Sequence, residues 1–292
     1  MKATRRLREL LAGDAVQVAP GVYDGLSARL VERAGFPLAY ASGGAISRSM
    51  GYPDMGLLSM SEVVARLAPI LDSVAIPVIA DADTGYGNAL NARRAVRALE
   101  RLGVAGLHLE DQVFPKRCGH YDDKSVVPPA EMVQKIRAAR DAAGDPDLVI
   151  IARTDALAVE GLDAAIERAG AYAEAGADML FVEAPQSEAQ IEAIGRRLPQ
   201  PKLLNMFLGG KTPIVPLERL HAWGYRLVIV PSDLQRAALA AMEETLRALK
   251  RDGHSADLAA RMASFADREA VVGTADYLAL DARYRADPPR AG

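Results

Sequence analysis

Only one cysteine, Cys118, stands among the 292 residues. No disulfide can close within such a chain, so a reducing compartment, the cytoplasm, is expected. No run of 18 apolar residues occurs, which argues against a membrane-spanning helix. The opening Met1-Lys2-Ala3-Thr4-Arg5-Arg6-Leu7-Arg8-Glu9 carries charges where a signal peptide would need an apolar stretch. Charge of one sign is not in excess either. Lys plus Arg is 35 against 38 for Asp plus Glu, a net charge of −3, which gives no general electrostatic reason to bind nucleic acid. Low-complexity stretches and dividing linkers are missing. What is present is a chain half hydrophobic and a quarter charged. At this length about 75% of the unfolded surface is buried on folding, so no structural metal is needed for stability.

The hydrophobic period switches repeatedly along the chain. Short apolar runs at Val16 to Ala19, Leu38 to Ala41, Pro77 to Ala80, Gly106 to Leu109, Leu148 to Ala152, Met179 to Val182, Lys202 to Leu204 and Arg226 to Val230 read as strands covered on both faces. Helical spacing fills the intervals from Ser61, Ala92 to Leu102, Glu131 to Ala143, Leu162 to Ala175, Glu188 to Leu198 and Arg236 to Arg251. Several of these helices stop at a glycine that suits a left-handed cap. Eight βα units in this length predict a (β/α)8 TIM barrel over residues 1–254. An open dinucleotide-binding sheet is disfavoured, because Pro20-Gly21-Val22-Tyr23-Asp24-Gly25 follows the first strand instead of GxGxxG. Residues 255–292 are expected to form a helical extension, Ala256 to Arg285, ending in a frayed Asp287 to Gly292.

In such a barrel the chemistry sits at the carboxyl ends of the strands. Acids gather there: Asp81 and Asp83, then Glu110 and Asp111, then Asp155 and Glu183. Asp81 and Asp83, two apart, leave one face of a strand end and, with Glu110 or Asp111, offer hard oxygen ligands for Mg²⁺ or Mn²⁺. An isolated Asp-x-Asp would instead cap a turn. Cys118 lies among Lys116, Arg117 and His120. Such cations are expected to lower a thiol's pKa and make it a proton donor and acceptor. Ser42-Gly43-Gly44 can turn N–H groups toward an anion or form a plain turn. Arg153 is a candidate carboxylate clamp, and a salt bridge to Asp155 or Glu183 is compatible with that. His108 reads as a core histidine, His221 and His254 as surface residues, and Trp223 as packing.

Lys116-Arg117-Cys118-Gly119-His120, with Asp81-Ala82-Asp83-Thr84-Gly85-Tyr86-Gly87 and Ile151-Ala152-Arg153-Thr154-Asp155-Ala156, resembles the isocitrate lyase/phosphoenolpyruvate mutase superfamily. The segment from Leu157 to Arg168 is similar to its short-chain 2-methylisocitrate lyase members. The resemblance implies Mg²⁺-dependent chemistry through an enolate, and a homotetramer with a C-terminal helix swapped between neighbours. It implies that Ser42, Gly43 and Gly44 hold the 2-oxo acid half of the substrate. Asp81 and Asp83 would hold Mg²⁺, with Glu110 behind them and Asp54 near the metal. Cys118 would be the proton donor, while Gly119, His120, Arg153, Glu183, Asn205 and Arg236 contact the small carboxylate substrate. Tyr40 is the candidate base for the C2 hydroxyl proton, with a metal-bound water as the alternative.

At strand seven the chain departs from its kin. Asn205-Met206-Phe207-Leu208-Gly209-Gly210-Lys211-Thr212-Pro213 keeps the frame of dimethylmalate lyases and carboxyphosphonate mutases, but leucine replaces their glutamate. Phe207 and Leu208 are expected to form an apolar wall beside Cys118, where an unpaired carboxylate would be costly. The expected activity is cleavage of a 2-hydroxy di- or tricarboxylate, of the 2-methylisocitrate or alkylated malate type. Carboxyvinyl-carboxyphosphonate or phosphoenolpyruvate-type phosphonomutase, oxaloacetate decarboxylase and a non-catalytic binding protein are the alternatives.

Overall fold

The structure, a computed structural model, describes residues 1–121 and 123–285. Eight strands, β1 Gln17–Val22, β2 Ala39–Ala41, β3 Val78–Asp81, β4 Gly106–Glu110, β5 Val149–Thr154, β6 Met179–Val182, β7 Lys202–Asn205 and β8 Tyr225–Val230, close in sequence order into a barrel. Every pairing is parallel, including the closing pair of β1 with β8. The predicted (β/α)8 TIM barrel is thus the fold observed. The strands keep their expected spans to within one or two residues except β1, which continues through Pro20 and Gly21 to Val22. Proline's fixed φ is compatible with extended backbone. Gly21 is required there, since a Cβ would stand 2.3 Å from the Pro231 carbonyl oxygen.

Side chains alternate across each strand, and this alternation builds the site. The inward face carries Tyr40, Ile79, Val149, Ile151, Met179, Phe181, Leu203, Leu227 and Ile229, which fill the barrel. Leu7 and Leu11 of the helix Ala3–Ala12 close its lower end. Two residues further on, the same inward parity brings up Asp81 after Ile79, Arg153 after Ile151, Glu183 after Phe181 and Asn205 after Leu203. The outward face packs on the helical layer, with Val78, Ala80, Leu107, Leu109, Ile150, Leu180 and Leu204 in one continuous core. Helices Met60–Ser73, Ala89–Leu102, Pro129–Ala142, Leu162–Glu174 and Glu188–Arg197 form most of that layer. Ser59 and Asn88 cap two of them in reciprocal capping boxes.

Residues Met1–Ala237 form one compact unit and Ala238–Gly292 a second. Beyond the end of the helix Asp233–Asp252, the second unit carries a 3₁₀ turn, Ala256–Arg261, and helices Phe265–Val272 and Thr274–Tyr284. These three elements bury no residue, and Phe265, Tyr277, Leu278 and Tyr284 are all exposed. The terminal Asp287 to Gly292, expected to fray, lies outside the described residues. Among the described residues no helix is long and apolar enough to cross a membrane.

Candidate active site

The rim of the barrel concentrates charge. Asp81, at the end of β3, accepts the Asp83 N–H through Oδ1 at 3.0 Å. Through Oδ2 it accepts the Tyr40 hydroxyl at 3.3 Å. Tyr40 Oη also lies 2.8 Å from His108 Nε2, and His108 Nε2 is 3.4 Å from Asp81 Oδ1. The backbone at Asp83 and Tyr86 takes positive φ, 47° and 62°. Non-glycine residues hold that conformation only where the surroundings impose it, and such residues concentrate at functional sites. Gly43 and Gly44, read as a possible anion loop, open the short helix Gly43–Ser49, whose N-cap is Ser42. A Cβ on Gly43 would meet Asp81 Oδ2 at 2.6 Å, and one on Gly44 would meet Asp54 Oδ2 at 2.7 Å. Only glycine lets this turn lie against the acids.

Lys116 sits in the middle of the cluster, 4% exposed, paired with Asp54 and 2.8 Å from Asp83 Oδ1. Arg153 is the second cation. Its Nε and Nη2 donate to the two oxygens of Asp155 at 2.9 and 3.1 Å. Its Nη1 is 3.2 Å from Glu110 Oε2. On the far side, Asn205 Nδ2 donates to Glu183 Oε1 at 3.1 Å, and His120 Nε2 lies 3.3 Å from both residues. The Phe207 ring packs edge-on against His120, 4.7 Å between centroids. Gly119 seats the cysteine loop on this surface, because a Cβ there would fall 2.4 Å from Glu183 Oε1.

Burial opposes ionisation of Asp81, but the fields of His108, Lys116 and Arg153 hold it below the usual carboxylate range. Burial pushes Asp83 up to about 6, with Asp81 and Asp54 adding to the rise that Lys116 opposes. Burial likewise raises Glu110 well above an ordinary glutamate. Glu183 is held low, because Arg153 and the His120 hydrogen bond outweigh burial. Glu110 Oε1, Glu183 Oε2 and Asn205 Oδ1 are buried without any partner, which is unusual for polar atoms in a folded interior.

A divalent cation fits this donor set. Asp54, Asp81, Asp83, Glu110, Asp155 and Glu183 are six carboxylates, while Lys116, Lys124 and Arg153 supply three positive charges. All six bring hard oxygen donors, and Glu110 Oε1 is unpaired. Among the described residues no three His, Cys, Asp or Glu side chains converge as a ready-made metal cage. Mg²⁺ does not require one, since it keeps several waters and takes one or two carboxylates.

Several expectations need correction. Cys118 is not activated by neighbouring cations. Burial pushes its thiol up, Asp54 adds to the rise, and Lys116 is turned into the acid cluster. Tyr40 is a poor base on its own, because burial and then Asp81 raise its phenol well above the ordinary value. Leu208 does not form a buried wall: the residue is 69% exposed. Phe207 supplies an apolar surface beside His120. Arg236, half exposed, donates to the Leu208 carbonyl and stands 3.6 Å from Asp233, so it is not brought onto the acid ring. His108, read as a core residue, does face the site; its place two residues before Glu110 on one strand was the available signal. Nothing local in the sequence pointed to Lys116 as the partner of Asp54, 62 residues away.

The family profile described as phosphoenolpyruvate phosphomutase matches residues 7–250. The chain is 43% identical over 274 residues to the 2,3-dimethylmalate lyase of Eubacterium barkeri, covering 94% of this chain and 95% of the relative. It is 44% identical over 276 residues to a 2-methylisocitrate lyase of Aeropyrum pernix, covering 94% and 89%. Among solved structures, a phosphonopyruvate hydrolase complexed with oxalate and Mg²⁺ superposes with a TM-score of 0.88 at 32% identity, covering 97% of this chain and 99% of that one.

Proposed function

The chain belongs to the isocitrate lyase/phosphoenolpyruvate mutase superfamily, and from that premise we propose that it is a Mg²⁺-dependent lyase of 2-hydroxy di- or tricarboxylates. Its class is that of a carbon–carbon lyase, as in its named relatives. The substrate type is an alkylated malate or 2-methylisocitrate, cleaved to a 2-oxo acid and a second carboxylic acid. The observation that carries this reading is the placement of a protonated thiol, Cys118, on a loop seated by Gly119 against Arg153 and Glu183. A lyase needs such a donor on the side of the departing fragment.

Asp81 and Asp83 would hold Mg²⁺, with Asp54 and Glu110 around it. When bound there, the ion would supply positive charge that stabilises the developing oxyanion. Ser42 and the N–H groups of Gly43 and Gly44 receive the 2-oxo acid half. Tyr40 can take the C2 hydroxyl proton by passing its own to His108 Nε2, 2.8 Å away. Burial favours the neutral ring that can receive it. The C2–C3 bond then breaks, and its electron pair, delocalised into the neighbouring carboxyl as an enolate, is protonated by the Cys118 thiol. Arg153, Glu183, Asn205 and His120 orient the second fragment. Phe207 favours an alkyl group on that fragment over a further carboxylate.

The reading extends to a cytoplasmic homotetramer. The support is the run of exposed apolar residues in the second unit, Leu239, Met242, Leu246, Phe265, Tyr277 and Tyr284, which a swapped helix would cover. The test of function is incubation with 2-methylisocitrate, 2,3-dimethylmalate, oxaloacetate and phosphonopyruvate, with products followed by NMR. Cleavage of a 2-hydroxy acid to a 2-oxo acid is expected. Rearrangement of phosphonopyruvate alone would make the protein a phosphonomutase, and loss of CO₂ from oxaloacetate alone would make it a decarboxylase.

A further inference from the structure

Lys124 is a buried cation with no part in the chemistry described so far. Its side chain is fully buried although it belongs to the loop that carries Cys118. The ammonium makes two contacts. It donates to Asp155 Oδ1 at 2.7 Å and to the carbonyl oxygen of Gly119, the residue after the thiol.

Asp155 is itself held from several sides. Its two oxygens accept Arg153 Nη2 and Nε. Its N–H donates to Asp111 Oδ1 at 2.9 Å. Asp111 Oδ2 is in turn fixed by Thr154 Oγ1 at 2.7 Å and by the Tyr172 hydroxyl at 2.8 Å. Asp155 is therefore a rigid anchor shared by one cation of the barrel and one cation of the loop.

Resting on the lyase reading, we infer that Lys124 is a positioning residue that clamps the Cys118–Gly119 backbone onto Arg153 through the Asp155 carboxylate. The physical reason is the cost of burying an ammonium. Taken out of water without a partner it is strongly unfavourable, and with a well-placed carboxylate and carbonyl the cost is offset. Lys124 can be buried only where it meets Asp155, and that meeting point also dictates where the Gly119 carbonyl lies. Gly119 has little freedom there, as a Cβ would already be 2.5 Å from Arg153 Nη2. The thiol one residue earlier is placed by the same constraint.

Cys118 is the only thiol in the chain, so its alkylation by iodoacetamide, read by mass spectrometry, reports the exposure of this segment directly. Lys124→Met should label at least tenfold faster than the wild type, and Lys124→Arg should stay near the wild-type rate. Electrostatics cannot mimic that result: removing a cation raises a nearby thiol's pKa, and slows the thiolate reaction. In turnover, Lys124→Met should lose kcat with KM little changed, because the donor is displaced and the 2-oxo acid half is still bound. Should Lys124→Met fail to fold, Asp155→Asn keeps the anchor's shape, weakens the bridge, and should also label faster. Wild-type labelling rates in the folded variants would overturn the inference. If the wild type cleaves no 2-hydroxy acid, the lyase reading fails, while the labelling rates still decide what Lys124 does.

Discussion

Lys116 Nζ stands 2.8 Å from Asp83 Oδ1 while also paired with Asp54, so an ammonium of the chain occupies ground that a divalent cation would share. Burial works against this charge, and the surrounding acids hold it firmly protonated. Lys116 and a bound Mg²⁺ would therefore compete for the same oxygens. Added Mg²⁺ should raise the melting temperature of the wild type, and raise it further in Lys116→Met. A ligand at a hundredfold excess over its Kd stabilises by about 2.7 kcal/mol, a shift of several degrees by differential scanning calorimetry. No effect of Mg²⁺ on either protein would remove the metal from the site.

The raised pKa of Cys118 makes a second expectation. With the thiol as the acid of the proposed final step, the rate should hold through neutral and mildly alkaline pH and fall only as the buried thiol ionises. Cys118→Ser should lower kcat by roughly 10²–10⁴-fold, the usual worth of a positioned proton donor. Oxalate, a planar dianion that mimics the 2-oxo acid half, should bind the variant as it binds the wild type. Near-normal turnover in the serine variant would assign the proton to another group.

Selectivity is expected to follow Phe207, because its ring is an apolar surface at His120 and Leu208 is largely exposed. Phe207→Ala should lower kcat/KM for C3-alkylated malates on the order of tenfold relative to unsubstituted malate, the worth of about one misplaced methylene. Leu208→Glu should change that ratio less. Steady-state assays on the two substrates decide it, and a larger effect from Leu208 would restore it to the wall of the pocket.

Far from the rim, Lys202 at the start of β7 is 2% exposed and donates to the carbonyls of Gly195 and Leu198 at 3.0 and 2.7 Å. Burial, with Arg226 adding, lowers its pKa to about 8. The folded form thus gives up this proton more readily than the unfolded chain, whose lysine keeps its ordinary value of 10.5. Between those values the unfolded state binds more protons, so this residue's contribution to stability should rise with pH, by about 3 kcal/mol at most. Urea denaturation at pH 7.5, 9 and 10.5 should show the rise in the wild type but not in Lys202→Met. Parallel curves for the two proteins would contradict it.

The chain's own order of residues determined the architecture and the inventory of the rim. Short continuous apolar runs separated by segments of helical period dictate a parallel barrel, because each strand must be covered on both faces. Side-chain alternation along each strand dictates that Asp81, Glu110, Arg153, Glu183 and Asn205 point inward at the strand ends. What the sequence could not contain were the pairings across the rim. Lys116 looks like an activator of its neighbour Cys118 when read along the chain; in three dimensions it is neutralised by Asp54 and Asp83, and the thiol is left with burial as its dominant influence. Tyr40 looks like a base acting alone, yet its hydroxyl lies between Asp81 and His108, so any proton it takes must be matched by one passed on. Leu208 looks like a pocket wall, yet its backbone carbonyl engages Arg236 and the residue is largely exposed. Protonation and exposure depend on distance through space and on the removal of water, and neither is a property of spacing along a chain. Tertiary structure alone decided them.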